Sequence, residues 1–252
     1  MSDTELLDLF HARQGVICAV GAGGKKSTLY RLLACHRGRV ALTSTVFITR
    51  FPERLGLTSV VAAEPDLAEA LRPHARTPRL GFAAPSEKPG RHAGIAPELV
   101  SRLHHETERD ATFVKADGAR MRWIKAPRDG EPVLPPDCTT LICVVSAKTL
   151  GRPLTKEVAH RLEHLGRVTG LQLGETIEPE HLARLMTSDA GLLKDAETCT
   201  VVPVINMVDD ARSLQLARHA AELALARTDR FDRVILTSMH DDERPVAAVV
   251  ER

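Results

Sequence analysis

The sequence predicts an α/β protein: a mostly parallel sheet with helices on both faces, formed by one domain spanning residues 1–252. Three observations predict it. Short apolar runs rich in valine and isoleucine alternate with longer segments of helical period, as when crossover helices cover both faces of a sheet. A glycine cluster, Gly21 to Gly24, stands between an apolar run and a helical one, where a parallel fold turns from strand to helix. The chain, 43% hydrophobic and 27% charged, is also long enough to bury a core of that class.

The elements follow in order. Gly15 to Val20 reads as the first strand. Lys26 to Cys35 reads as the helix after it, with Leu29, Leu32 and Leu33 on one face. Arg39 to Thr43 is a second strand, Pro65 to His74 is helical, and Arg79 to Phe82 is a short strand. The proline- and glycine-rich stretch Ala84 to Gly94 reads as a surface loop. Ala96 to Arg109 is helical through Leu99, Val100 and Leu103, with His104 and His105 on its solvated surface. Thr112 to Ala116 is a strand, Asp117 to Asp137 irregular, and Thr140 to Val145 a strand. A small helical insertion occupies about 154–195. Thr200 to Ile205, Ala211 to Ala226 and Arg233 to Leu236 repeat strand, helix, strand, and Val246 to Val250 adds an edge strand.

Composition removes several classes of function. Lys plus Arg (34) almost cancels Asp plus Glu (33), so no basic field points to nucleic acid or an anionic membrane. An aromatic content of 3% argues against base-stacking nucleic-acid modules. No apolar run approaches the roughly 20 residues of a membrane span, and Met1 to Gln14 lacks the features of a secretory signal, so a cytoplasmic protein is expected. The five cysteines form no CxxC pair, and Cys18 and Cys143 lie in apolar runs. No G-x-S-x-G elbow supports serine hydrolysis.

The segment Gly21-Ala22-Gly23-Gly24-Lys25-Lys26-Ser27-Thr28 has the chemistry of a phosphate loop. Glycines bring successive N–H groups close to phosphate oxygens, the helix N-terminus adds unpaired donors, and Lys25 supplies charge to the outer phosphates. The fold expected from it is P-loop NTPase-like. The spacing suits a short G-x-x-G-K loop better than the full G-x-x-x-x-G-K-[ST] pattern, whose first glycine would fall on Ala19. Lys26 stands where a Ser or Thr ordinarily binds Mg²⁺, leaving Ser27 as the hydroxyl for a metal. A tight strand–helix turn would use the same glycines.

Downstream sites occur in the matching order. Asp117, at the end of a strand and before Gly118, is the candidate carboxylate for Mg²⁺. Thr45, closing Thr43-Ser44-Thr45, offers a hydroxyl to the terminal phosphate. Asn206-Met207-Val208-Asp209 resembles the Asn-Lys-x-Asp element with which GTPases read guanine, although Asn206 and Asp209 also suit a helix cap. Met207 there can cover a ring with a polarisable chain. Val145 to Lys148 looks by its letters like the loop that backs the base, but precedes Asn206 in the chain and is set aside on that order. Arg120, Arg122, Lys125 and Arg128 gather positive charge just after Asp117, suited to a phosphate or a second anion.

Several motifs together resemble one family. They are Gly21 to Lys26, Thr43 to Thr45, Lys115 to Ala119, Lys125 to Pro127, Glu131 to Pro135, Gly151 to Leu154, His160 to Glu163 and Asn206 to Asp209. In this set the chain resembles the selenium-dependent hydroxylase accessory proteins, the YqeC-like family. It departs from the family pattern at Lys26 (Thr in the pattern), Lys115 (Glu) and Met207 (Lys). The residues point to GTP or ATP binding with Mg²⁺ and, with no nucleophile-positioning residue identifiable, to slow hydrolysis, while the resemblance implies an accessory protein. It also implies work on molybdenum-hydroxylase maturation, with a molybdenum cofactor or molybdenum hydroxylase as partner. Lys25, Asp117 and Thr45 would then be the catalytic groups. A small-molecule kinase or ligase acting on an anion, and a non-catalytic cofactor-binding chaperone, are the alternatives.

Overall fold

The structure, a computed structural model, describes every residue from Met1 to Arg252. In chain order it runs α1 (Asp3–Leu9), β1 (Gly15–Gly21), α2 (Lys25–Cys35), β2 (Val40–Ser44), β3 (Ile48–Thr49) and β4 (Thr58–Val61). Next come α3 (Glu64–Leu71), β5 (Arg79–Ala83), β6 (Arg91–His92), α4 (Pro97–Glu106), β7 (Ala111–Lys115) and β8 (Ile124–Lys125). The remainder is β9 (Cys138–Ser146), β10 (Ala159–His160), α5 (Leu162–Thr169), α6 (Pro179–Thr187), β11 (Thr200–Asn206), α7 (Ala211–Leu225), β12 (Arg233–Thr237) and β13 (Val246–Glu251).

Nine strands form one sheet in the order β13-β12-β11-β9-β1-β7-β2-β5-β4. Every neighbouring pair is parallel except β12 with β13, so the sheet is mixed but mostly parallel. Successive residues of β1 serve opposite faces: Val16, Cys18 and Val20 join one apolar core, Ile17 and Ala19 the other. That period is why the central strands read as unbroken apolar runs. The smaller core is covered by α1 and α2, with Leu29, Leu32 and Leu33 wholly buried, each worth about 1.5–3 kcal/mol of transfer free energy. The larger takes α3 to α7. No helix is long and apolar enough to cross a membrane.

The order of strands positions the site. From β1 the chain crosses through α2 to β2, leaving the place between them for β7, and later returns to the other side of β1 with β9. The carboxyl ends of β7, β1 and β9 therefore meet at a reversal of strand order, where open α/β sheets leave a crevice.

Several expectations change in detail. β4 goes unnoticed in the sequence because it is an edge strand with three of its four residues partly or fully exposed. The expected loop at 84–94 carries β6, which pairs with β3, and the irregular stretch after Asp117 carries β8, which pairs with β10. His104 is not solvated: it is 8% exposed, with Nδ1 2.9 Å from Thr112 Oγ1, and burial pushes its pKa below the ordinary value. All five cysteines are free and buried.

Candidate functional site

The turn after β1 is shaped by backbone conformation and close neighbours. Gly21 closes the strand at φ +90°, and a Cβ there would stand 2.1 Å from the Val144 carbonyl oxygen of β9. Gly24 adopts φ +139°, and its Cβ would meet Asn206 Nδ2 at 2.0 Å. A side chain fits at neither position. Ala22 donates its N–H to the Val144 carbonyl at 2.8 Å. Asn206 Nδ2 donates to the Gly23 carbonyl at 2.9 Å. The loop is thereby wedged against the ends of β9 and β11.

Helix α2 begins immediately, and no side chain caps it. Its first turn holds Lys25 and Lys26 and no acid. Unpaired N–H groups and the positive end of the helix dipole already favour an anion here, and the two ammonium groups reinforce them.

Lys25 lies folded over the loop, with Nζ donating to the Gly21 carbonyl and 2.8 Å from Asp117 Oδ1. Asp117, just past β7, accepts the Gly21 N–H on Oδ2 at 2.9 Å, and Lys125 Nζ stands 2.8 Å from the same oxygen. Lys25 is 5% exposed and Asp117 2%. Burial pushes the Lys25 pKa down, with Asp117 opposing. Burial would push the Asp117 carboxyl up, but Lys25 and Lys125 outweigh it and hold the acid below its ordinary value.

The row of charges continues. Lys125 Nζ, fully buried, also meets Glu131 Oε2 at 2.6 Å and donates to the Gly118 carbonyl at 3.0 Å. Arg161 grips both Glu131 oxygens, Nη2 donating to Oε1 at 2.7 Å. Burial opposes ionisation of Glu131, yet the bonds from Arg161 and Lys125 prevail and hold its pKa down at about 2. Lys25, Asp117, Lys125, Glu131 and Arg161 thus alternate in sign from the glycine loop to the start of α5.

Two further lysines complete the cradle. Lys115, two residues before Asp117 and 8% exposed, donates from Nζ to the Phe47 carbonyl at 2.8 Å. Burial first, and Lys25 next, push its pKa down to about 7. Lys26 Nζ donates to Thr49 Oγ1 at 3.2 Å. Lys25, Lys26, Lys115 and Lys125 are half of the chain's eight lysines, against 26 arginines, so the site concentrates the less common cation.

The glycine loop, Lys25 and Asp117 come together. Thr45 lies at the end of β2 with its hydroxyl donating to the Val133 carbonyl at 2.7 Å. Thr28 donates to the Gly24 carbonyl at 3.2 Å, inside the helix. Ser27 is half-buried on the first turn of α2. Of the basic residues after Asp117, Arg120 and Arg128 are exposed, but Lys125 is turned inward as the counter-ion of two carboxylates.

A magnesium ion was expected on Ser27 and Asp117, and the donors present do not fit one. Both Asp117 oxygens face ammonium groups, Lys25 on one and Lys125 on the other. A divalent cation beside Asp117 would also stand among Lys25, Lys26 and Lys115, whose charges oppose it.

At the end of β11, Asn206 is a clamp. Besides bonding Gly23, its Oδ1 accepts from Thr237 Oγ1 at 2.9 Å and from the Met239 N–H at 3.2 Å. Asp209 is the open member of the pair: its side chain is 44% exposed, accepts from Ser238 Oγ at 2.7 Å, and stands 3.2 Å from Lys148 Nζ. Chain order set Lys148 aside, yet β9 and β11 are neighbours with Ser146 opposite Asn206, and this registry delivers Lys148 to Asp209. Met207 takes φ +63°, and its sulfur lies 3.1 Å from Ser146 Oγ. A cleft of about 500 Å³ bounded by Asp209, Ser238, His240 and Arg244 adjoins them. Two larger clefts, of about 660 and 650 Å³, lie away from the glycine loop, beside α7 and near the amino ends of β11 and β12.

Fold and site together define an α/β protein with a lysine-rich glycine loop at the carboxyl edge of a mostly parallel sheet. The family model described as "YqeC protein" matches residues 17–163, a span that includes the loop, Asp117, Lys125, Glu131 and Arg161 but stops short of Asn206. A protein of Escherichia coli (strain K12), described as "Uncharacterized protein YqeC", is 32% identical over 201 residues, which cover 77% of this chain and 76% of that protein. The chain belongs to the YqeC family.

Proposed function

We propose that this protein binds a nucleoside triphosphate, GTP or ATP, with the polyphosphate on the P-loop-like segment Gly21 to Thr28 and the base beside Asp209. One observation carries the reading: an uncapped helix N-terminus, with two lysines in its first turn and a third buried beside it, meets the carboxyl edge of the sheet at its reversal point. Lys25, Lys125 and Arg161 pair with Asp117 and Glu131 while Lys26 and Lys115 pair with neither, an arrangement short of negative charge. A polyphosphate supplies it. Lys25 turns from the Gly21 carbonyl to the phosphate oxygens, and Lys125 remains as counter-ion for Asp117.

Asp209, once Lys148 moves aside, offers a carboxylate to two adjacent N–H donors, the pattern of guanine N1 and N2, which favours GTP over ATP. The reading is of a binding protein more than of a fast hydrolase, since the Thr45 hydroxyl is committed to Val133. A cytoplasmic accessory role in maturing a molybdenum hydroxylase is what the family resemblance supports, and no residue contact argues for the molybdenum cofactor itself.

The test is equilibrium binding of the full chain to a nucleotide panel, repeated with Lys25→Ala. A loss of about 30-fold or more is expected, as for a charge-assisted contact of about 2 kcal/mol. Triphosphate binding undiminished in the variant overturns the assignment.

A further inference from the structure

We infer that the cradle takes its triphosphate without a divalent cation, Lys26 and Lys115 occupying the place and the bridging role of the metal. The inference rests on the triphosphate reading above and deepens it.

A metal at such a site does two jobs. It neutralises the outer phosphates, and it joins the phosphate loop to the strand-end carboxylate and the segment beyond the second strand. Both jobs are assigned to lysines here. Lys26 occupies the sequence position of the metal-binding hydroxyl, and its Nζ spans from the first turn of α2 to Thr49 on β3. Lys115 leaves the end of β7 and reaches the same segment at the Phe47 carbonyl, 2.8 Å away. The loop helix and the carboxylate strand are therefore each tied by an ammonium to residues 47–49, across the space a metal would bridge.

The remaining donors agree. Asp117 Oδ1 is taken by Lys25, whose Nζ stands 2.8 Å away as an ion pair. Oδ2 is engaged by the Gly21 N–H and Lys125. Within the cradle the carboxylates are matched by Lys25, Lys125 and Arg161, while Lys26 and Lys115 have only neutral oxygens as partners. These two pair with neither carboxylate, so five cations stand against two carboxylates in the cradle. Lysine is also the apt residue, because its ammonium is a compact point charge where a guanidinium is a broad planar fork.

The experiment is calorimetric titration of the full chain with GTP, ATP and inorganic tripolyphosphate, each in excess EDTA and in millimolar Mg²⁺. Affinity in EDTA equal to or above that in Mg²⁺, for a nucleotide or for tripolyphosphate, is the expected result. Binding at least about tenfold tighter in Mg²⁺ overturns the inference and leaves the triphosphate reading intact. Tripolyphosphate binding in EDTA without nucleotide binding upholds the metal-free cradle and overturns the nucleotide. No binding of any probe in either buffer overturns both.

The variant Lys26→Thr/Lys115→Met restores a hydroxyl and removes the buried charge. It should lose about tenfold or more in EDTA and regain affinity in Mg²⁺. Unchanged affinity in EDTA with a folded variant overturns the inference. Should the double variant unfold, Lys26→Thr alone carries the same comparison.

Discussion

The Asn206 carboxamide donates to the Gly23 carbonyl at 2.9 Å, tying the end of β11 to the glycine loop across a sequence separation of 183 residues. The same side chain accepts from Thr237 and Met239, so three elements share one fully buried amide. Asn206→Ala should strand the partners of all three bonds, at about 1–3 kcal/mol for each group left unsatisfied. A clear fall in thermal midpoint is expected, with weaker triphosphate binding in the folded fraction. A variant as stable as the parent would show that the clamp does not hold the loop.

Gly24 is the position facing that clamp. At φ +139°, with Asn206 Nδ2 2.0 Å from the site of a Cβ, Gly24→Ala must move either the loop or the amide. Conformational strain of this kind costs about 1–3 kcal/mol, and the clash adds to it. Denaturant unfolding measures the loss. Gly56, also at positive φ but with nothing near its Cβ, is the control and should lose less on the same substitution.

Glu131 makes the acid limb of stability predictable. Its carboxyl is held at about 2 against an ordinary 4.5, so the fold gains stability that is whole above about pH 4.5 and lost as pH falls towards 2. Glu131→Gln should flatten the thermal midpoint across that window. At pH 7 it should cost about 3–5 kcal/mol, since Lys125 and Arg161 lose a buried partner. Midpoints measured from pH 2 to 7 for both proteins decide it. Parallel curves would count against the assignment.

On the proposed reading, Asp209 bears on base choice and not on the hold of the phosphates. Its contacts with Lys148 and Ser238 lie at the rim, so Asp209→Ala should change stability by less than about 1 kcal/mol. Triphosphate affinity should largely persist while any preference for GTP over ATP disappears. Competition between the two nucleotides, before and after the substitution, reads the effect. A preference that survives would place the base elsewhere.

Much of the fold is legible because the central strands are buried on both faces. Gly15 to Val20 and Thr140 to Val145 announce themselves as apolar runs, and the helices by their period. β4 is hidden because an edge strand needs no such run. The glycine loop is visible for a different reason: its conformation requires particular residues locally. Lys148 against Asp209 is invisible, because it depends on β9 and β11 being neighbours in a sheet whose order departs from that of the chain. Lys125 misleads as part of a basic stretch, since nothing local distinguishes an ammonium facing water from one enclosed between Asp117 and Glu131. The departures at Lys26 and Lys115 are plain as letters, but that both reach the same short segment emerges only in three dimensions.

The gathering of half the lysines at one place gives the protein an uneven chemical face. An amine-acylating reagent meets Lys88, Lys148 and Lys156 on the outside, while Lys25 and Lys125 lie beyond its reach. Arginines, which carry most of the positive charge elsewhere, are indifferent to it. A peptide map of the labelled protein should therefore be blank at Lys25 and Lys125 and bright at Lys88, Lys148 and Lys156. Any event that opens the cradle would write itself into that map as newly modified sites.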